Sequence, residues 1–231
     1  MIIHVRYLGE RDLPVLLELE RAKWEPGQAA DGESLARRIR DYPELSIGAF
    51  CGTSGRALAS LFMRPVNPAV FSAPTRWAQA ALGHEECGSD THSLFGISLS
   101  SSHAEAVEEI FRFFYPRALK AGWRDIFLGS PIPGFRRARL AEPGLPVWRY
   151  VHGRKRFHPS LPRDPQLAYY HAKGFREIVS IQQDYFPHPA SLDYGVILRC
   201  AIPLSRPRRL WRITPMRVLE PLSRLVLTLA G

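Results

Sequence analysis

Cysteine is scarce in this 231-residue sequence: three occur, Cys51, Cys87 and Cys200, far apart and odd in number. That excludes a disulfide framework and suits reduced, buried thiols. Metal-ligand residue types crowd together at His84-Glu85-Glu86-Cys87, but no second ligand pair stands at metal spacing, so no metal is expected. Long apolar runs are also missing, and without about 18 such residues in a row no helix spans a bilayer. The opening Met1-Ile2-Ile3-His4-Val5-Arg6 lacks the basic segment and apolar core of a secretion signal. A cytoplasmic location follows as the expectation.

Acidic residues are scarce in one half. Residues 132–231 hold 17 Lys and Arg against 6 Asp and Glu, whereas residues 1–131 hold 14 against 16. A basic half attracts polyanions: the phosphates of a coenzyme, an acidic carrier protein, anionic lipid heads or nucleic acid. No helix-turn-helix, zinc-finger or RNA-binding signature accompanies the arginines, so nucleic acid is not expected. The remaining composition, 45% apolar and 23% charged, is that of a globular chain long enough to bury a core.

Periodicity lays out the elements. Ile2 to Tyr7 alternates as a strand; Arg11-Asp12 opens a helix carrying Leu13, Leu16, Leu17 and Trp24 on one side. Asp31 starts a second helix through Leu35, Ile39 and Tyr42. Leu45 to Phe50 and Arg56 to Met63 form a hairpin around Cys51-Gly52-Thr53-Ser54-Gly55. Residues 64–90 read as a loop with a short helix near Trp77. Ser93 to Leu99 is a buried strand, His103 to Ala121 the longest helix, and Asp125 to Leu128 the next strand. Pro116 is expected to kink that helix or end its regular part. A strand, a helix and a parallel strand make a crossover whose open carboxyl end is where ligands sit. A Pro-rich connection follows. Asp164-Pro165 then opens a helix as N-cap and first helical residue, and Gly174 closes it as a left-handed cap.

Several phrases then line up in order. They are Gly129-Ser130-Pro131-Ile132-Pro133-Gly134-Phe135, Asp164-Pro165-Gln166-Leu167, Tyr169-Tyr170-His171-Ala172-Lys173-Gly174-Phe175, Asp184-Tyr185, and Ser191-Leu192-Asp193-Tyr194-Gly195-Val196-Ile197-Leu198. Together they resemble the GNAT acyltransferase superfamily over residues 3–203, in the branch associated with polyketide loading and acyl-carrier proteins. The resemblance implies an α/β (α+β) GNAT fold: a mixed, mostly antiparallel sheet with a central splayed parallel strand pair and helices on both faces. It also implies an acyl-CoA or phosphopantetheine thioester as co-substrate, with no tightly bound cofactor.

Site residues follow from the same resemblance. Backbone groups at Ile97 and Leu99 would meet the pantetheine arm. The family's glycine-bearing pyrophosphate turn falls on Ser101-Ser102-His103-Ala104-Glu105-Ala106-Val107, which has no glycine. Glu105, Glu108 and Glu109 add negative charge to the first turns of that helix. Either phosphate contacts are reduced or moved to Arg136, Arg137 and Lys173, or donor binding has been lost. Tyr170 takes the position of the tyrosine that protonates the leaving thiolate; the other reading is that it packs a helix face. Ser98 and Ser100 stand where they could contact the acyl group or deliver a proton. Trp24 falls on the acceptor side of the pocket or in the core, and Arg136 stands where some members carry a histidine.

Beyond Pro203 the resemblance ends. Arg206 to Arg212 is a basic linker, and Met216 to Leu229 reads as an amphipathic cationic helix. It can lie on an anionic membrane at the inner surface, dock a partner, or pack back on its own domain. The expected domains are thus 1–203 and a tail, 204–231. The expected function is acyl transfer from a coenzyme A or carrier-protein thioester to an amine, hydroxyl or thiol. The alternative is a non-catalytic domain of the same fold that binds an acyl group, a carrier protein or a membrane surface.

Overall fold

A computed structural model describes residues 1–24, 29–83 and 91–230, the last seven of these by backbone alone. The His84-Cys87 cluster lies outside the described residues. The strands are β1 (Ile3–Tyr7), β2 (Ser46–Cys51), β3 (Ala57–Pro65), β4 (Ser93–Ser101), β5 (Asp125–Pro131), β6 (Arg154–Lys155), β7 (His158–Pro162), β8 (Glu177–Gln182) and β9 (Gly195–Ala201). The helices are α1 (Leu13–Lys23), α2 (Gly32–Asp41), α3 (Trp77–Leu82), α4 (Ala104–Ala121), α5 (Phe135–Ala141), α6 (Val147–Val151), α7 (Pro165–Ala172), α8 (Arg208–Ile213) and α9 (Met216–Ala230). The mixed sheet has the order β1-β2-β3-β4-β5-β9-β8, with β4 and β5 as its parallel pair and β6-β7 as a separate hairpin.

The chain forms two compact units: Met1–Arg64, Gly96–Arg124 and Pro203–Ala230 make one, and Pro65–Phe95 with Asp125–Ile202 make the other. In the first, β1, β2 and β3 run antiparallel. Leu16 from α1, Leu35 from α2, Leu58 and Phe62 from β3, and Ile110 and Leu119 from α4 are all buried, as periods of 3.6 and 2 require when one face meets a core. The helix α4 runs through Pro116 to Ala121, so the expected ending there does not occur. The turn that proline disturbs is braced by Arg117, whose Nη1 donates to the Phe113 carbonyl at 2.8 Å while its guanidinium lies over the Phe113 ring.

The residues beyond Pro203 belong to this unit. A helix, α8, stands where a linker was expected, and α9 packs on α4 with Leu219 and Ser223 buried. Tyr115 donates to the Pro203 carbonyl at 2.7 Å, and Lys120 to the Thr214 carbonyl at 2.9 Å. Of the three roles open to the tail, packing back on its own domain is the one these contacts describe.

In the second unit β9 pairs antiparallel with both β5 and β8. The Pro-rich connection folds as α5 and α6 followed by the β6-β7 hairpin. Its core gathers Ile132, Phe135, Leu145, Tyr150, Val151, Leu167, Val196 and Leu198. One carboxylate organises it. Asp164 is fully buried; its Oδ1 caps α7 by accepting from the Gln166 and Leu167 amides, while its Oδ2 accepts from the Gly134 amide at 3.0 Å and the Tyr150 hydroxyl at 2.8 Å. The Pro-Gly-Phe and Asp-Pro-Gln-Leu phrases, distant in sequence, are therefore two sides of one hydrogen-bonded joint.

Candidate active site

Ser98 and Ser100 alternate with Ile97 and Leu99 along β4, so both hydroxyls leave one face of the strand. Each meets a polar side chain from a helix of the same unit. The Trp24 indole donates to Ser100 Oγ at 2.7 Å, and Ser100 donates in turn to a Glu20 carboxylate oxygen in a short bond. The other Glu20 oxygen accepts from the Ala30 amide at 3.2 Å. Beside them Arg38 Nη1 donates to Ser98 Oγ at 3.2 Å.

This chain of bonds has a fixed direction. An indole N–H only donates, so one Ser100 lone pair accepts from Trp24 while the Ser100 proton points to Glu20. Trp24 is 37% exposed, which sets it at the rim of this group and not in the core. Glu20 and Arg38 are buried. Burial pulls the Arg38 guanidinium below its ordinary pKa, and the nearby Glu20 carboxylate raises it back in part. The Arg38 Nε has no hydrogen-bond partner among the described residues, and the group lies over the Phe62 ring.

Ser98, Ser100 and Trp24 were singled out from the sequence; Glu20 and Arg38 were not. Glu20 stands four residues after Leu16 and four before Trp24, and Arg38 three after Leu35. A charged residue on the apolar stripe of each helix was the available signal.

The turn from β4 to α4 spends its serines on the protein itself. Ser102 donates to the Leu58 carbonyl through both its amide, at 2.8 Å, and its hydroxyl, at 3.1 Å; Ser101 Oγ donates to the His103 carbonyl at 2.8 Å. His103 is the N-cap of α4 without a side-chain capping bond, and Ala104 is its first residue. Of the three nearby carboxylates, Glu108 and Glu109 pair with Arg112, which leaves less repulsion at this helix start than their sequence implies.

In the second unit the Tyr170 ring packs edge-on to Phe175 and Tyr169 and joins the core around Phe135 and Leu167. Burial raises its phenol pKa, against a lowering by a Gln166 hydrogen bond, so the phenol is protonated at neutral pH. Lys173 is the exposed C-cap of α7, closed by Gly174 at φ +93°. Arg136 and Arg137 are exposed on α5. Among the described residues no group of His, Cys, Asp or Glu is placed to hold a metal ion, and no helix is long and apolar enough to cross a membrane.

The strand order, its parallel pair and the long helix joining that pair are those of the GNAT fold, as the sequence phrases led one to expect. Solved structures agree. The chain is similar to the GphF GNAT-like decarboxylase in complex with isobutyryl-CoA, at 24% identity and a TM-score of 0.66 over 86% of this chain and 99% of that one. It is similar to the loading GNATL domain of CurA from Lyngbya majuscula, at 17% identity and 0.71 over 87% and 98%. The ribosomal-protein-S18-alanine N-acetyltransferase of Escherichia coli matches at 11% identity and 0.51 over 87% and 94%. No protein-family profile and no curated protein matches the chain.

Proposed function

We propose that the chain is an enzyme acting on an acyl thioester, carried by coenzyme A or by an acyl-carrier protein, and that it moves the acyl group to an amine, hydroxyl or thiol. The observation that carries this reading is the Glu20–Ser100–Trp24 chain. An attacking X–H group must lose its proton as it adds to the thioester carbonyl. Ser100 can take that proton while passing its own to Glu20, and Trp24 fixes the orientation of the hydroxyl. The bond to X forms, the carbon–sulfur bond breaks, and the sulfur leaves with the electron pair. The departing sulfur takes up a proton from solvent; Tyr170, the phenol that the sequence resemblance marks for that role, is held protonated by burial. Two similar solved structures, one in complex with isobutyryl-CoA and one a loading domain, support a thioester as the substrate class.

Free thiol release from acetyl-CoA, longer acyl-CoAs and acyl-carrier protein tests the reading. Turnover should fall about 100-fold in Glu20→Gln and in Ser100→Ala with donor binding kept. Unchanged turnover in both variants would remove the relay. Donor binding without any turnover in the unaltered protein would leave the non-catalytic alternative standing.

A specific observation favours a second reading, loss of CO2 from a carboxyacyl thioester. The buried Arg38 carries a positive charge and an Nε without a partner among the described residues, which suits a substrate carboxylate, and one similar structure is a decarboxylase. CO2 release from malonyl-CoA, abolished in Arg38→Met, would decide for it; thiol release without CO2 decides against it.

A further inference from the structure

Tyr185 is among the most deeply buried large side chains of the protein, at 1% exposure, and its hydroxyl has no hydrogen-bond partner among the described residues. Its backbone is fully used: its amide donates to the Asp193 carbonyl at 2.9 Å, and its carbonyl accepts from the Trp77 amide at 2.8 Å. The ring lies flat across two strands. A Cβ at Gly129 of β5 would collide with the phenol oxygen, and one at Gly195 of β9 with the ring itself. Gly129 pairs with Ile197 and Pro131 with Gly195, so both glycines open onto the same face of the β5-β9 ladder. On that face Phe127, two residues before Gly129, stacks on Phe71 at 5.4 Å.

Every contact of this ring with the strands would be made equally by phenylalanine. The hydroxyl adds only an unmet donor in an apolar place, which destabilises a fold unless something outside the protein accepts from it. Gly129 is itself only partly buried, so the strand on which the phenol oxygen rests is not sealed off from solvent. The setting also keeps the phenol protonated, since burial raises its pKa.

We infer that Tyr185 donates a hydrogen bond to the thioester carbonyl oxygen of the acyl substrate where it passes Gly129 of β5. This rests on the thioester reading above. Tyr185 is then a substrate-positioning residue which favours acyl groups presenting an oxygen at that point, and the two glycines are what bring it there.

The test compares acetyl-CoA and acetyl-phosphopantetheine with their S-ethyl thioethers, which lack the carbonyl, by calorimetry on the unaltered protein and on Tyr185→Phe. The unaltered protein should bind the acetyl forms about tenfold more tightly than the thioethers, and Tyr185→Phe should erase that preference. The variant should melt at the same temperature or higher, because no protein bond is lost. A preference that survives in Tyr185→Phe overturns the inference while leaving the thioester reading intact. So does a variant that melts lower with its preference unchanged, the mark of a hydroxyl serving only a buried water. If the unaltered protein binds none of the four compounds, both the inference and the reading beneath it fail.

Discussion

Asp164 shows how much one buried side chain can hold. It accepts from two amides of its own helix, from Gly134 and from Tyr150, and an alanine there would leave those donors without an acceptor. Asp164→Ala should lower the unfolding free energy by about 2–4 kcal/mol, combining a lost cap with unmet buried donors. Denaturant titration would show it as an earlier midpoint, with Asp164→Asn losing less. The two described thiols differ just as sharply. Hydrogen bonds from Ser54 and then Thr53 bring the Cys51 thiol down to about 6, whereas burial raises that of Cys200. A thiolate exists above its pKa and reacts only in that form. Alkylation of Cys51, mapped by mass spectrometry, should therefore rise through about pH 6 and level off near neutrality. In Ser54→Ala the rise should move toward the ordinary thiol value of about 8.5.

At the scale of elements, long periodic segments were legible and short ones were not. The helices α1, α2 and α4 and strands β1 to β5 stand close to where their apolar spacing put them. The helix α7 was legible at both ends because Asp164, Pro165 and Gly174 each have a single conformational reason to be there. By contrast α5 and α6 hold seven and five residues, too few for a period of 3.6 to repeat, and Pro143, Gly144 and Pro146 between them disguised the pair as a loop. The candidate site was half legible. Hydroxyls on a strand beside a helix-end tryptophan could be read, but the partners of those hydroxyls sit on apolar stripes, where a lone charge is easily taken for solvated surface. Helix ends also give a direct test. Gly174 holds φ +93°, and a Cβ there would press on the Cys200 sulfur at 3.1 Å. Gly174→Ala should cost about 1–2 kcal/mol in the same denaturant assay, more than an exposed helix-surface substitution.

For the whole molecule, the residues after Pro203 behave as part of the first unit. Leu219 and Ser223 of α9 are buried, and Arg117 of α4 pairs with Glu220 at 3.5 Å. Deleting residues 216–231 should lower the melting temperature by several degrees and raise binding of an apolar dye, since the surface of α4 beneath α9 would meet water. A tail that merely trailed from the fold would leave both unchanged. The formal charge of +9 is carried largely by the second half of the sequence, so attraction of an anionic donor should weaken with added salt.

The joint made by Asp164 has a consequence for finding kindred sequences. Its acceptor and the amide of Gly134 stand 30 residues apart, and neither short phrase is selective by itself. Written as a pair at roughly that separation, they become a two-part signature with a physical reason for co-occurring: a chain that lost one half would strand the other's buried polar atoms.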